Sequence, residues 1–400
     1  MAEPHHHRHQ QGADIFAWDC RTGAMSLEVT HSSHYSALEL VDLGARSNPK
    51  RPFVFVSRVL GKHIAARPGQ MVAAQNVLAK NVGFPGRPGA VDETTVFVGM
   101  AETATGLGEG VFAQWYRIHQ AELGVPQALY LNTTRYPIGG AERVQFDELH
   151  CHAVNVGLYR PQSKALRDRM AGARRLVLVD DELSTGRTFA HLVQAVRPFM
   201  PRVDRVDVAV LTDFSNGEAE RRVGEVPGIS TVAVHALMRG RFSFRETETH
   251  PLPPKSEQRP MSCRRAHMMR STPRLGIASP TVAGQDMVER LWQLAEYRPI
   301  RLIATGEFMY PAQALGMALE QMGATVLVQS TTRSPLLVGG AIEMVIKLED
   351  PYGEGVQNYI YNPPPATDSE LRVVVHEMER NAEIAQICHQ LQAINLRYVG

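Results

Sequence analysis

The sequence predicts an α/β protein, with a mostly parallel sheet flanked by helices over residues 26–240 and a second, smaller α/β domain over residues 273–400. Three observations predict it. Short runs rich in β-branched residues recur along the chain, and continuous apolar runs of that kind suit strands buried on both faces. Segments of helical composition separate them, which favours parallel crossovers. Between the two halves, residues 241–272 are rich in Pro and Arg and show no clear period, as expected of a linker.

The elements follow in order. Residues 1–25 read as a flexible tail. Its His5, His6, His7 and His9 offer imidazoles to a metal, but a plain histidine-rich tail is the simpler reading. The strands of the first domain are FVFVS (53–57), TVFVGM (95–100), ALYLNT (128–133), HAVNVGLY (152–159), RLVLVDD (175–181) and VDVAVLTD (206–213). Helices are expected in GEGVFAQWYRIHQAEL and RTFAHLVQAVRPFM. In the second domain IRLIATG (300–306) and ATVLVQS (324–330) are strands. PAQALGMALEQMG (311–323) is the helix between them, with Pro at its start and Gly at its end.

Composition bounds the function. A chain of 400 residues exceeds the roughly 100–200 residues of one ordinary domain. Lys plus Arg number 42 and Asp plus Glu 41, a net charge of +1, which argues against duplex DNA or an anionic membrane as a bulk partner. No run approaches the roughly 18 apolar residues of a membrane span, and the first residues lack the apolar core of a secretory signal. Cys20, Cys151, Cys263 and Cys388 lie far apart with no CxxC pair, so a reducing cytoplasm is expected rather than a disulfide framework or zinc knuckle.

The strongest motif is RRLVLVDDELSTGRTF, residues 174–189. An apolar strand ends in Asp180 and Asp181, a Ser/Thr/Gly turn follows, and then a helix begins. Turn amides and a helix N-terminus attract a phosphate dianion. Ser184, Thr185 and Thr188 add hydroxyl donors, and Gly186 lets the backbone approach closely. Asp180 and Asp181 stand one step away, suited to the 2′- and 3′-hydroxyls of a ribose. The ligand so described is a ribose 5-phosphate. A Walker A loop is excluded, because no Lys follows Gly186.

A second strand–loop–helix is TTVFVGMAETATGLGEGVF, residues 94–112. Small residues and the hydroxyls of Thr103 and Thr105 make Met100–Gly106 a compact anion-facing loop. Gly108, Gly110 and Ala113 also satisfy a loose GxGxxA pattern, but too far past the strand end for a dinucleotide fingerprint. In VFVSRVLGKHI (54–64), Arg58, Lys62 and His63 cluster after an apolar run, either as an anion-binding group or as solvated charges. In TTRYPIGGAERVQFDELHCHAV (133–154), Arg135, His150 and His152 are candidates for acid–base work. His150 and His152 share one face of a strand by the period of two, which equally suits packed histidines.

Residues 174–189 resemble the motif that binds 5-phosphoribosyl-1-pyrophosphate (PRPP) in type I phosphoribosyltransferases. The resemblance implies that Asp180 and Asp181 hold the ribose, and that Ser184, Thr185, Gly186, Arg187 and Thr188 hold the 5-phosphate. It implies that the loop with Met100, Ala101, Glu102 and Thr103, helped by Arg58 and Lys62, faces the pyrophosphate. A mobile loop at 133–154 would close over PRPP. Mg2+ is implied with PRPP, and no metal site made by protein side chains alone is expected.

The second half, with STTRSP (330–335) after its second strand, resembles the TRSP domain fused behind a phosphoribosyltransferase in tellurium-resistance gene clusters. The FVSRVLGKH and MAETATGLG stretches are similar to that subfamily as well. Glu307, Tyr310, Thr332, Arg333 and Ser334 follow its strands, where ligands of open α/β sheets bind. Arg333 with its neighbouring hydroxyls suits a phosphate or carboxylate. The expected activity is transfer of phosphoribose to a base-like nitrogen with release of pyrophosphate, in a homodimer. The rival reading is a regulator that senses PRPP or a nucleotide and binds RNA through its basic linker.

Overall fold

The computed structural model describes residues 6–10, 13–48, 50–84, 93–146, 156–247, 273–363, 369–379 and 382–398. They form two compact units. The central unit comprises residues 72–237 and 273–282, and the terminal unit comprises the described residues up to 71, 238–247 and 283–398. These limits differ from the sequence-based boundaries. Residues 26–71 belong to the terminal unit, and residues 273–282 belong to the central one.

The chain starts with β1 (His6–Gln10), β2 (Ala13–Cys20) and β3 (Gly23–Ser32), joined as antiparallel neighbours. Among the described residues, strands thus stand where a flexible tail was expected over residues 1–25. The physical reason is alternation that the histidine-rich start masked. Phe16 and Trp18 stack and are buried, and Met25 and Leu27 point the same way on β3. Then come α1 (Ala37–Leu40), β4 (Val41–Arg46) and β5 (Phe53–Ser57).

The central unit follows with α2 (Pro68–Val82), whose first turn lies before the division, then β6 (Thr95–Gly99), α3 (Thr105–Leu123) and β7 (Ala128–Thr134). After these come β8 (Arg143–Gln145), β9 (Gly157–Tyr159), α4 (Lys164–Gly172), β10 (Arg175–Leu183), α5 (Arg187–Val196), β11 (Arg205–Asp213) and α6 (Glu218–Gly224). Next is β12 (Thr231–Glu246), which the unit division cuts near its middle. Its last six residues correct the expected linker. Phe242 and Phe244 alternate with polar residues, pair with Leu27 and Met25 of β3, and contact the Phe53 ring.

In the central unit the strand order is β11-β10-β6-β7, all parallel, with β9 and β8 added antiparallel beyond β7. Val96, Val98, Leu129, Leu131, Leu176, Leu178, Val208 and Val210 are wholly buried. Burying each such side chain contributes about 1.5–3 kcal/mol. At the strand starts, the buried Arg175 donates to Asp207 at 2.8 Å and to the Gly83 carbonyl at 2.9 Å, tying the end of α2 to the sheet.

The terminal unit continues with α7 (Gln285–Ala295), β13 (Ile300–Ala304), α8 (Tyr310–Gln321), β14 (Val326–Ser330), β15 (Leu336–Gly340), β16 (Val345–Leu348), β17 (Asn358–Tyr361), β18 (Leu371–His376), α9 (Ala382–Leu391) and β19 (Ile394–Arg397). A parallel sheet runs β14-β13-β18-β19. Leu302, Leu315, Val326, Val328 and Val373 form its core. A second small sheet runs β15-β4-β5. No described helix is long and apolar enough to cross a membrane.

Candidate functional site

In the central unit the chain winds outward in both directions from β6, to β7 on one side and to β10 and β11 on the other. The loops that leave β6 and β10 therefore diverge, and such a crevice is where ligands of open α/β sheets bind. The register sets Gly99 beside Val179 and Asn132. Met100–Ala104 and Asp180–Gly186 thus emerge at one edge, stitched together where the Met100 amide donates to the Val179 carbonyl at 3.0 Å.

The turn after β10 leads directly into α5. Asp180 and Asp181 are half-buried within β10, just past its pairing with β6 and before its end at Leu183, and the Asp181 amide donates to Asp180 Oδ1 at 2.9 Å. Ser184 and Thr185 are half-buried in the bend, Thr188 is half-buried in the first turn of α5, and Arg187 is exposed. Gly186 caps α5 with φ +71°, a left-handed conformation that favours glycine. A Cβ there would come within 2.6 Å of Ala219 Cα on α6. The Ala190 amide makes the helix's first internal bond, to the Gly186 carbonyl. The amides of residues 187–189 therefore have no acceptor within the helix.

The loop after β6 is built closely. Met100, Ala101, Glu102 and Ala104 are buried and Thr103 is half-buried. The Ala101–Glu102 peptide is cis, and the Ala101 amide donates to Thr133 Oγ1 at 2.7 Å. Glu102 pairs with Arg135, Nη1 to Oε2, at 3.1 Å. The structure thus brings the candidate Arg135, just beyond β7, onto the candidate Glu102. Gly99 and Gly108 allow β6 and α3 to touch, for a Cβ on Gly108 would lie 2.6 Å from Gly99 Cα. This packing role accounts for a glycine of the loose GxGxxA pattern. His150 and His152 lie outside the described residues, as do residues 147–154 of the segment expected to close over the site.

Two features escaped sequence reasoning. Residues 273–282 run along the central unit instead of opening the second domain. Ile277 exchanges both backbone hydrogen bonds with Tyr130, at 2.9 and 3.0 Å. The buried Arg274 guanidinium lies 5.4 Å from the ring centroid of Tyr136, the residue after Arg135. Also, Glu109 of α3 is buried and accepts from the Thr281 amide at 3.2 Å. Burial pushes its carboxyl up to about 7, against the opposing hydrogen bonds from Thr281. Both contacts join residues far apart in sequence, and no local pattern announces them.

Arg58 and Lys62 belong to the terminal unit, not to the unit that carries Asp180. Arg58 pairs with the buried Asp42 at 2.6 Å. Lys62 is buried, donates to the Gly306 carbonyl at 2.8 Å and lies 3.5 Å from Ser330 Oγ. The buried His63 accepts from Gln329 at its carbonyl, and the Ala66 and Val328 backbones bond to each other. Segment 58–66 is therefore a wall of the C-terminal sheet.

The five candidates of the second site gather at the C-terminal ends of β13 and β14. Glu307, Tyr310 and Thr332 are buried. The Ser334 amide donates to Thr332 Oγ1 at 3.1 Å. Arg333 is held by Glu354 at 2.7 Å and Asp350 at 3.5 Å. Burial, with the charges of Asp350 and Glu307, holds the Glu354 carboxyl above its ordinary value against the pull of Arg333.

A family model described as a phosphoribosyl transferase matches residues 40–241, and a model of the TRSP domain that lies C-terminal to that transferase matches residues 272–391. No curated protein matches the chain. Among solved structures the chain is similar to the adenine phosphoribosyl transferase of Trypanosoma brucei, in complex with AMP, pyrophosphate and ribose-5-phosphate. That match has 14% identity and a TM-score of 0.34 over 51% of this chain and 81% of the other. The Giardia lamblia enzyme, complexed with 9-deazaadenine, has 15% identity and a TM-score of 0.32 over 50% and 93%. The Rhodothermus marinus enzyme has 14% identity and a TM-score of 0.30 over 50% and 94%.

Proposed function

The chain belongs to the phosphoribosyl transferase family, with a TRSP domain behind the transferase, and on that premise we propose that it transfers phosphoribose from PRPP to a base-like nitrogen. The observation that carries this reading is the pair of segments diverging from β6 and β10, the second with Asp180 and Asp181 just before the end of β10 and the Ser184–Thr188 turn just after it. The turn amides and hydroxyls bind the 5-phosphate. The two carboxylates accept from the ribose hydroxyls. The Met100–Thr103 loop, with Arg135 held against Glu102, faces the pyrophosphate.

The nitrogen forms a bond to ribose C1 while the bond from C1 to the pyrophosphate oxygen breaks, its electron pair leaving with pyrophosphate. The proton lost by the nitrogen passes to a base, for which His150 and His152 are the proposed groups. Positioning and charge stabilisation supply the rate, with no covalent enzyme intermediate.

Among the described residues, no group of three or more His, Cys, Asp or Glu side chains is placed to hold a metal ion. The hard oxygens of Asp180 and Asp181 nevertheless fit Mg2+ that arrives with PRPP and keeps much of its water. When bound, Mg2+ neutralises charge on the departing pyrophosphate. The product is a nucleotide-like small molecule, in the tellurium-resistance context that the resemblance implies, and the assembly is a homodimer.

The test is to incubate the protein with Mg-PRPP and a cell extract, then follow pyrophosphate and identify the ribosylated species by mass. Pyrophosphate release together with one new ribosylated compound supports the transferase. PRPP binding without turnover, joined to salt-dependent RNA binding, instead supports a regulator.

A further inference from the structure

The two parallel sheets follow one plan. In the central unit the first parallel strand in sequence, β6, lies between the second, β7, and the third, β10, with the fourth, β11, outside β10. In the terminal unit β13 lies between β14 and β18, with β19 outside β18. Every neighbouring pair in both sets is parallel. The C-terminal sheet therefore has its own switch point between β13 and β18, where a ligand-binding crevice is expected.

The loops leaving these two strands are polar and buried. Thr305, Glu307, His376 and Glu377 are 0%, 3%, 2% and 7% exposed. Tyr352 bridges the loops, its hydroxyl donating to Glu377 Oε1 at 2.8 Å and lying 3.4 Å from the Thr305 carbonyl. Lys62 brings an ammonium to Gly306, the residue between Thr305 and Glu307. The Thr305 hydroxyl, wholly buried at this junction, has no hydrogen-bond partner among the described residues. Ionisable groups gathered in this way at a strand-end crevice mark functional sites.

The chemistry differs from the sequence expectation. Arg333 faces Glu354 and Asp350, which answer part of its charge. The groups flanking the switch point are mainly acceptors. Acids stand near the end of the third parallel strand in both sheets, Asp180 and Asp181 within β10, which runs on to Leu183, and Glu377 directly after β18. A carboxylate at a strand tip is a common reader of ribose hydroxyls.

We infer that the switch point between β13 and β18 is a second ribosyl site, where Glu307, Glu377 and the Thr305 hydroxyl bind the vicinal diol of a ribose phosphate. The choice of a ribosyl ligand rests on the function proposed for the central unit, and it makes the product of the first site the class of ligand for the second.

Calorimetric titration of the full chain with ribose 5-phosphate tests this. Wild type is expected to bind two equivalents, and one should remain in Asp180→Asn/Asp181→Asn. One should also remain in Glu307→Gln/Glu377→Gln, provided circular dichroism shows it folded. Tyr352→Phe, which removes only the bridging hydroxyl, is expected to weaken the second equivalent if the double variant does not fold. 2-Deoxyribose 5-phosphate should bind Asp180→Asn/Asp181→Asn about tenfold more weakly, having lost one hydroxyl contact. A single equivalent that depends on Asp180 and Asp181 alone overturns the second site and spares the transferase reading. A single equivalent that depends only on Glu307 and Glu377 does the reverse. Two equivalents unchanged by the Glu307, Glu377 and Tyr352 variants overturn the second site, and no binding to wild type sinks both.

Discussion

Arg135 donates from Nη1 to Glu102 Oε2 at 3.1 Å, joining the residue just past β7 to the loop just past β6. The side chains are 16% and 4% exposed, so the pair is fixed before any ligand arrives. Glu102 orients the guanidinium beside the loop after β6. Arg135→Met is expected to weaken binding of Mg-PRPP by about ten- to a hundredfold, the loss of one charged hydrogen bond. Calorimetry checks this. Unchanged affinity would assign Arg135 to packing alone.

Gly186 has φ +71° and stands against Ala219. An alanine in the left-handed region costs roughly 1–2 kcal/mol, and its Cβ must also displace α6. Gly186→Ala is therefore expected to lower the urea midpoint and to reduce affinity for ribose 5-phosphate. A variant as stable as wild type with unchanged affinity would contradict the close approach.

The legible part of the fold was the part buried on both faces. The strands β5, β6, β7, β10, β11, β13 and β14 are continuous apolar runs, and no competing period obscures them. The antiparallel β2 and β3 and the end of β12 alternate apolar with polar or charged residues. Phe242 and Phe244 between arginines looked like linker because only pairing with β3 gives them a buried side. The candidate site divides in the same way. Asp180–Thr188 is continuous in sequence and could be read there. Arg274 beside Tyr136, Thr281 on Glu109 and Lys62 at Gly306 depend on long-range return of the chain, which spacing does not encode.

Arg175 and Asp207 form a buried ion pair at 2.8 Å, with Arg205 and His235 also on the Asp207 carboxylate. Hydrogen bonds from His235 and Arg175, and the Arg175 charge, hold Asp207 below the usual carboxylate range despite its burial. Arg175→Met leaves that carboxylate short of its buried partner and frees the Val82 and Gly83 carbonyls. The expected destabilisation is about 3–5 kcal/mol in urea unfolding. The pair lies at the strand starts, so Mg-PRPP affinity of the folded variant should be retained.

Glu109 gives a pH signature. Its carboxyl is pushed from an ordinary 4.5 up to about 7, mainly by burial. Between those values the fold holds a proton that the unfolded chain has released. Stability from this group therefore falls as pH rises through the window and is level above it. The loss amounts to about 3 kcal/mol. Glu109→Gln, which cannot ionise, should gain on wild type by that order between pH 4.5 and 8 in urea unfolding. Parallel pH profiles for the two proteins would show that Glu109 ionises normally.

The most direct measurement is calorimetric titration of Mg-PRPP into the full chain and into Asp180→Asn/Asp181→Asn. The variant keeps the side-chain shape near the end of β10 but removes both charges proposed to receive the ribose hydroxyls. Binding by wild type and loss of most of it in a variant with an unchanged circular dichroism spectrum is the predicted result. Equal heats and equal affinity in the two proteins would contradict the assignment of the turn after β10 to a sugar phosphate.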